Sequence, residues 1–131
     1  INILGDRVAL IDTTATTLNS SSGGSDGGSI SLTAQSDINT ANLFTVSQGG
    51  SARNINITSL NGGVDTTNGS VESTSFFGNG VSLNISAFGD INIARMVTGS
   101  RKGDGGNITI NSQNGAVNST SDLGLSSLFG N

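Results

Sequence analysis

Triplets of alternating apolar and polar residues recur along the chain: Ile1-Asn2-Ile3, Ile30-Ser31-Leu32, Ile55-Asn56-Ile57, Leu83-Asn84-Ile85 and Ile108-Thr109-Ile110. Alternation with period two predicts half-buried β-strands. Successive triplets start 29, 25, 28 and 25 residues apart. A near-constant period of this size marks a solenoid, propeller or array. A second apolar position follows each triplet. Ile38 and Ile91 come 8 residues after its first residue, Val64 and Val117 come 9 after. In the first unit Val8 and Leu10 compete for that place. A third, looser set comprises Leu43 or Val46, Val71, Met96 or Val97, and Leu123 or Leu125. Each unit should therefore hold three short strands. The differences in unit length are expected in the glycine- and serine-rich turn.

The pattern predicts an all-β parallel β-helix of about five rungs, in units 1–28, 29–54, 55–80, 81–107 and 108–131. One such rung cannot bury its apolar residues alone. Stacked at about 4.8 Å, it pairs its backbone above and below and builds a continuous core. The expected core columns are Ile1, Ile30, Ile55, Leu83 and Ile108; then Ile3, Leu32, Ile57, Ile85 and Ile110; then Ile38, Val64, Ile91 and Val117. Asn2, Ser31, Asn56, Asn84 and Thr109 should face outward by alternation. Gly and Asn at the corners are expected to supply positive φ. The low-complexity stretch from Asn19 to Gly28 is expected to protrude as a loop. Both ends of such a stack carry unpaired backbone, so continuation, a cap or end-to-end self-association is expected. The chain reads as an excerpt of a longer repeat protein.

Composition narrows the function classes. The 131 residues include no Cys, His, Pro, Trp or Tyr, and only 11% are charged. Low hydrophobicity with much Gly and Ser favours disorder, but disorder has no reason to keep a register. No run of good helix formers at i, i+3, i+4 spacing occurs. No apolar run approaches the roughly 20 residues that cross a membrane, so no membrane insertion is expected. A net charge of −4 and five scattered basic residues argue against nucleic-acid binding. No cofactor is expected.

Candidate chemistry is sparse. Asp26, beside Gly24, Gly27 and Gly28, and Asp104, beside Gly103, Gly105 and Gly106, share some character with calcium-binding Gly-Asp repeats. They are weak calcium candidates, and plain turns are favoured. Asp12, Asp37, Asp65 and Asp90 fall near the second strand of successive units, where solvated turn positions are expected. A ladder of stacked acids would otherwise call for a cation. Carbohydrate-cleaving sites need converging carboxylates, with basic and aromatic partners. Here Glu72 is the single Glu, and no enzyme is expected. Thr13-Thr14, Thr16-Thr17 and Thr66-Thr67 are too irregular for an ice-binding array. Asn19, Asn56, Asn68, Asn84, Asn107 and Asn118 begin Asn-x-Ser/Thr sequences, which arise by chance in such a composition. Phe76-Phe77 is expected to close the core at a corner, with an exposed contact as the alternative, and Arg101-Lys102 to be a solvated loop tip.

The stretch Gly103-Asp104-Gly105-Gly106-Asn107-Ile108-Thr109-Ile110, followed by Asn114-Gly115-Ala116-Val117-Asn118-Ser119-Thr120, is similar to repeats of filamentous-haemagglutinin-like, two-partner-secreted exoproteins. It resembles particularly the Gly/Ser/Asn-rich versions in large cyanobacterial surface proteins. The resemblance runs from Ile1 to Phe129. It implies a right-handed parallel β-helix, export across the outer membrane, and an extracellular adhesin or a matrix or sheath fibre at a bacterial cell surface. It implies self-association or continuation of the chain, with surface polysaccharide or other cells as partners. A passive stalk displaying a distant binding or toxin domain is the alternative, and a polysaccharide-active β-helix enzyme a minor one. The family's amino-terminal secretion domain, with its Asn-Pro-Asn-Gly-like motif, is not represented in a chain without Pro.

Overall fold

A computed structural model describes residues 1–5, 10–121 and 123–127. Rung 1 comprises β1 (Asn2–Gly5), β2 (Ile11–Thr13) and β3 (Leu18–Asn19). Rung 2 comprises β4 (Ile30–Ala34), β5 (Ile38–Thr40) and β6 (Leu43–Phe44). Rung 3 holds β7 (Ile55–Ser59), β8 (Val64–Asp65) and β9 (Ser70–Ser75). Rung 4 holds β10 (Leu83–Ala87), β11 (Ile91–Ile93) and β12 (Arg95–Ser100). Rung 5 holds β13 (Ile108–Ser112), β14 (Val117–Ser119) and β15 (Leu123–Ser127). No helix occurs among the described residues. The first strands of all rungs form sheet A, the second strands sheet B and the third strands sheet C, each five-stranded. Every pairing is parallel. The expected parallel β-solenoid with three strands per rung is the observed fold.

Register follows the apolar columns. In sheet A, Ile30 pairs Ile55, Ile55 pairs Leu83, and Leu83 pairs Ile108. Ile3, Leu32, Ile57, Ile85 and Ile110 form the next inward column. In sheet B, Ile11, Ile38, Val64, Ile91 and Val117 align. In sheet C, Leu18, Leu43, Val71, Met96 and Leu123 align. These columns meet in one apolar core running through the three middle rungs. In the end rungs, Ile1 and Val117 are 46% and 48% exposed, because only one side of each has a neighbouring rung.

Five expectations are corrected. The second-strand residue of rung 1 is Ile11, which is 5% exposed; Leu10 faces solvent, and Val8 lies outside the described residues. Val46 and Val97 point away from the core, one residue out of phase with the inward alternation. The stretch from Asn19 to Gly28 does not protrude: Ser20 and Ser22 donate their N–H groups to Phe44 and Val46, and Gly27 donates to Ser51. The glycine- and serine-rich passage is also not where length varies. Leu18 to Ile30, Leu43 to Ile55, Val71 to Leu83 and Met96 to Ile108 each step 12 residues. The variation lies at the other two corners. Rungs 2 and 4 step 5 residues from sheet B to sheet C, whereas rungs 1 and 3 step 7. Finally, Gly62 and Gly115 do not adopt positive φ. They are required by close approach: a Cβ on Gly62 would sit 2.6 Å from the Asp37 nitrogen of the rung below. Leu128 and Phe129 lie outside the described residues.

Candidate functional site

The polar side chains serve mainly to join one rung to the next. Strand-end serines do so most regularly. Ser59, Ser100 and Ser112 point inward at strand ends, Ser47 does so at an isolated bridge beyond β6, and each begins a Ser-x-x-Gly sequence. Each Oγ accepts the N–H of the glycine three residues on, at 3.0, 3.1, 2.7 and 2.9 Å. Each also donates to a carbonyl of the preceding rung: those of Ser25, Ser36, Gly78 and Gly89, at 2.5–2.8 Å. One hydroxyl thus satisfies a turn donor and a neighbouring acceptor that would otherwise be orphaned in a tight corner. These spacings stand in the sequence, but the apolar periodicity gives no hint of them.

The acids are part of the same scheme. Asp12 and Asp65 share a column on the outer face of sheet B, with Asn39 between them and Asn92 above. Like charges are thereby held two rungs, about 10 Å, apart. Each closes a local turn: Asp12 accepts the Thr14 hydroxyl at 2.6 Å and its N–H at 2.9 Å. Asp65 does the same with Thr67. The Thr14 hydroxyl, and then its N–H, hold the Asp12 carboxyl below its ordinary pKa. Asp37 and Asp90 reach the next rung, accepting the N–H of Gly63 at 2.7 Å and of Ala116 at 2.8 Å. With Asn39, Asp65 and Asn92 they line a shallow polar groove of about 320 Å³. No group of three or more His, Cys, Asp or Glu able to hold a metal ion occurs among the described residues.

Asp26 and Asp104 are not brought together. They occupy one column, three rungs apart, with Ser51 and Asn79 between them. Asp26 accepts the Ser51 N–H at 2.8 Å and pairs with Arg53 at 2.6 Å. The Ser51 N–H is the larger cause of its lowered pKa, and the Arg53 charge adds to it. The Asp104 N–H is held by Asn79 Oδ1 at 3.0 Å. Among the Asn-x-Ser/Thr asparagines, Asn56 and Asn84 bond one another across rungs at 2.8 Å, while Asn19, Asn68, Asn107 and Asn118 are exposed.

Phe76 and Phe77 overturn the expectation that they close the core. They stand outside it at the tip of the corner after sheet C, 37% and 54% exposed. Their rings meet edge to face, with centroids 4.8 Å apart. Arg101 and Lys102, at the same tip one rung on, lie over Phe76 and Phe77 respectively, each 4.7 Å from the ring centroid. The basic pair is exposed at the loop tip, as expected, and is stacked there on the two rings. Comparison with protein-family models, with curated proteins and with solved structures gives no match for this chain.

Proposed function

We propose that this chain is a structural segment of an extracellular bacterial surface protein, a β-helical adhesin or matrix fibre of the filamentous-haemagglutinin-like kind. The observation that carries the reading is the direction of its polar contacts. Asp26, Asp37, Asn42, Asn79 and Asp90 each cap a backbone N–H of the following rung. Side chains used this way serve propagation along an axis. They suit a long rod better than a site that gathers its polar groups around a ligand. The right hand of the coil and the export route belong to the same resemblance. On the far side of rung 5, Leu123 and Leu125 of the inward columns are 46% and 61% exposed. In the fibre this edge is covered by a further rung of the same kind, from a continuing chain or a second copy placed end to end.

The test is immunogold electron microscopy of intact source cells with an antibody raised against this segment. Label along surface filaments with an axial repeat of about 4.8 Å supports the fibre. Label on discrete rods that end in a globular head supports a display stalk instead. Label confined to the cytoplasm overturns both.

A further inference from the structure

Four successive rungs present different side chains at one corner. Ser22, Ser47, Ser75 and Ser100 are in register. The two residues after each form the tip: Gly23-Gly24, Gln48-Gly49, Phe76-Phe77 and Arg101-Lys102. The first tip is bare and the second carries only the Gln48 side chain. The third raises two phenyl rings above them, and the fourth sets two cations on those rings. The step encloses a groove of about 440 Å³, with Val46, Gln48 and Thr74 as floor and Phe76 and Phe77 as wall. That volume falls within the range of about 300–1,000 Å³ usual for small-ligand clefts.

Charge distinguishes this corner from the rest of the surface. Arg53 is neutralised by Asp26 and Arg95 by Glu72. Arg101 and Lys102 are exposed and have no carboxylate within ion-pair distance among the described residues. Within a chain of net charge −4, this is the compact positive point among the described residues, and it coincides with the Phe76-Phe77 pair. A guanidinium lying over a ring keeps its in-plane N–H donors free for a carboxylate fork. A phenyl face carries the negative side of its quadrupole, which suits the C–H face of a pyranose ring.

We propose that this corner binds an acidic polysaccharide of the uronate type. One sugar ring would lie in the groove against Phe76 and Phe77, and the carboxylate of an adjoining sugar would pass beyond the rings to Arg101 and Lys102, which stand on the next rung and do not line the groove. Two adjacent cations match a polymer that bears one carboxylate per sugar. Nucleic acid would call for a longer basic track along the phosphates. The ligand class rests on the extracellular reading above, whereas the geometry of the corner does not.

The experiment is affinity electrophoresis of the purified chain through gels containing polygalacturonate, with dextran, single-stranded DNA and polyphosphate as comparisons. Wild type should be retarded by polygalacturonate and not by dextran. Arg101→Gln/Lys102→Gln should weaken the interaction about tenfold or more, as expected for lost charge-assisted hydrogen bonds. Phe76→Ser/Phe77→Ser should weaken it several-fold. Both pairs lie outside the core, so circular dichroism and melting should match wild type; Arg101→Lys, which keeps the charge, serves if the double variant melts low. Three results would overturn the proposal: no retardation by polygalacturonate, equal retardation by polyphosphate with the phenyl variant unchanged, or tighter binding of DNA. Because it uses purified protein, the measurement can fail while surface labelling succeeds, and the reverse.

Discussion

Sheets A and C share one rung spacing but fill the interior by different means. In sheet A the first two inward columns are apolar and essentially inaccessible: Ile30, Ile55 and Leu83, then Leu32, Ile57 and Ile85. In sheet C only the first inward column is apolar, with Leu43, Val71 and Met96. The next is Thr45, Ser73 and Thr98, and the last Ser47, Ser75 and Ser100, all buried. Those hydroxyls bond the backbone of the passage that returns to sheet A. Thr45 and Ser73 both donate to the Arg53 carbonyl, at 2.7 and 3.1 Å, and Thr98 donates to Val81 at 2.7 Å. Apolar burial tolerates variation in how a corner reaches the next strand. A hydroxyl aimed at a particular carbonyl does not. This accounts for a passage fixed at 12 residues while the other corners change length.

The contrast can be broken most strongly on the apolar side. Leu83→Ala removes a fully buried side chain held between Ile55 and Ile108, and should cost about 2–5 kcal/mol. Urea unfolding would measure it; a loss near zero would mean that sheet A is not the core. On the hydroxyl side, Thr98→Val keeps the shape but orphans the Val81 carbonyl, and should cost about 1–3 kcal/mol. Thr40 sharpens the point. Its hydroxyl is buried on sheet B and has no hydrogen-bond partner. Thr40→Val should therefore be neutral or stabilise by about 1 kcal/mol in the same assay. If both Thr→Val changes cost alike, the hydroxyls of sheet C act by shape alone.

Glycines divide in a similar way. Gly62 lies against the backbone of Ser36 and Asp37, whereas Gly24 has nothing within 4 Å of where a Cβ would stand. Gly62→Ala should lower stability by about 1–3 kcal/mol through overpacking, and Gly24→Ala should change it little. Equal melting temperatures for the two variants would show that the rungs are free to separate locally at the Gly62 corner.

The fold was legible because its main signal is local and repeated. An Ile-x-Ile triplet names an inward pair and an outward residue at once, and the period gives the stacking partner. That sufficed for the sheet A and B columns. It failed at Ile11, because four consecutive apolar residues from Val8 to Ile11 offer no alternation to choose by. It also failed for Val46, where an inward threonine stands at a place that hydrophobicity assigns to valine. The hydroxyl columns escaped notice for the same reason, since a buried serine and a surface serine look alike until the acceptor is known. The Phe76-Phe77 corner was misjudged because exposure there depends on the bare glycines of the rungs below. Only register brings those residues together.

The smallest expected effect concerns pH. Asp12 and Asp26 both have folded-state pKa values below the ordinary value of 3.8. A carboxylate with a depressed folded pKa contributes stability above its unfolded pKa, and loses that contribution as pH falls through the folded value. The two residues nevertheless do different work. Asp12 ties a turn within its own rung, through Thr14. Asp26 ties rung 1 to rung 2, through Ser51 and Arg53. Both are exposed, so each contribution is small and screened by salt. Asp26→Asn keeps an oxygen acceptor for the Ser51 N–H but removes the charge. Its melting temperature should lie slightly below wild type from pH 7 to about pH 5, and the gap should close below about pH 4. Added salt should narrow the gap for Asp26→Asn more than for Asp12→Asn, because only Asp26 faces a cation. No gap at any pH would show that the hydrogen bond to Ser51, which the Asn variant keeps, and not the carboxylate charge, couples the two rungs.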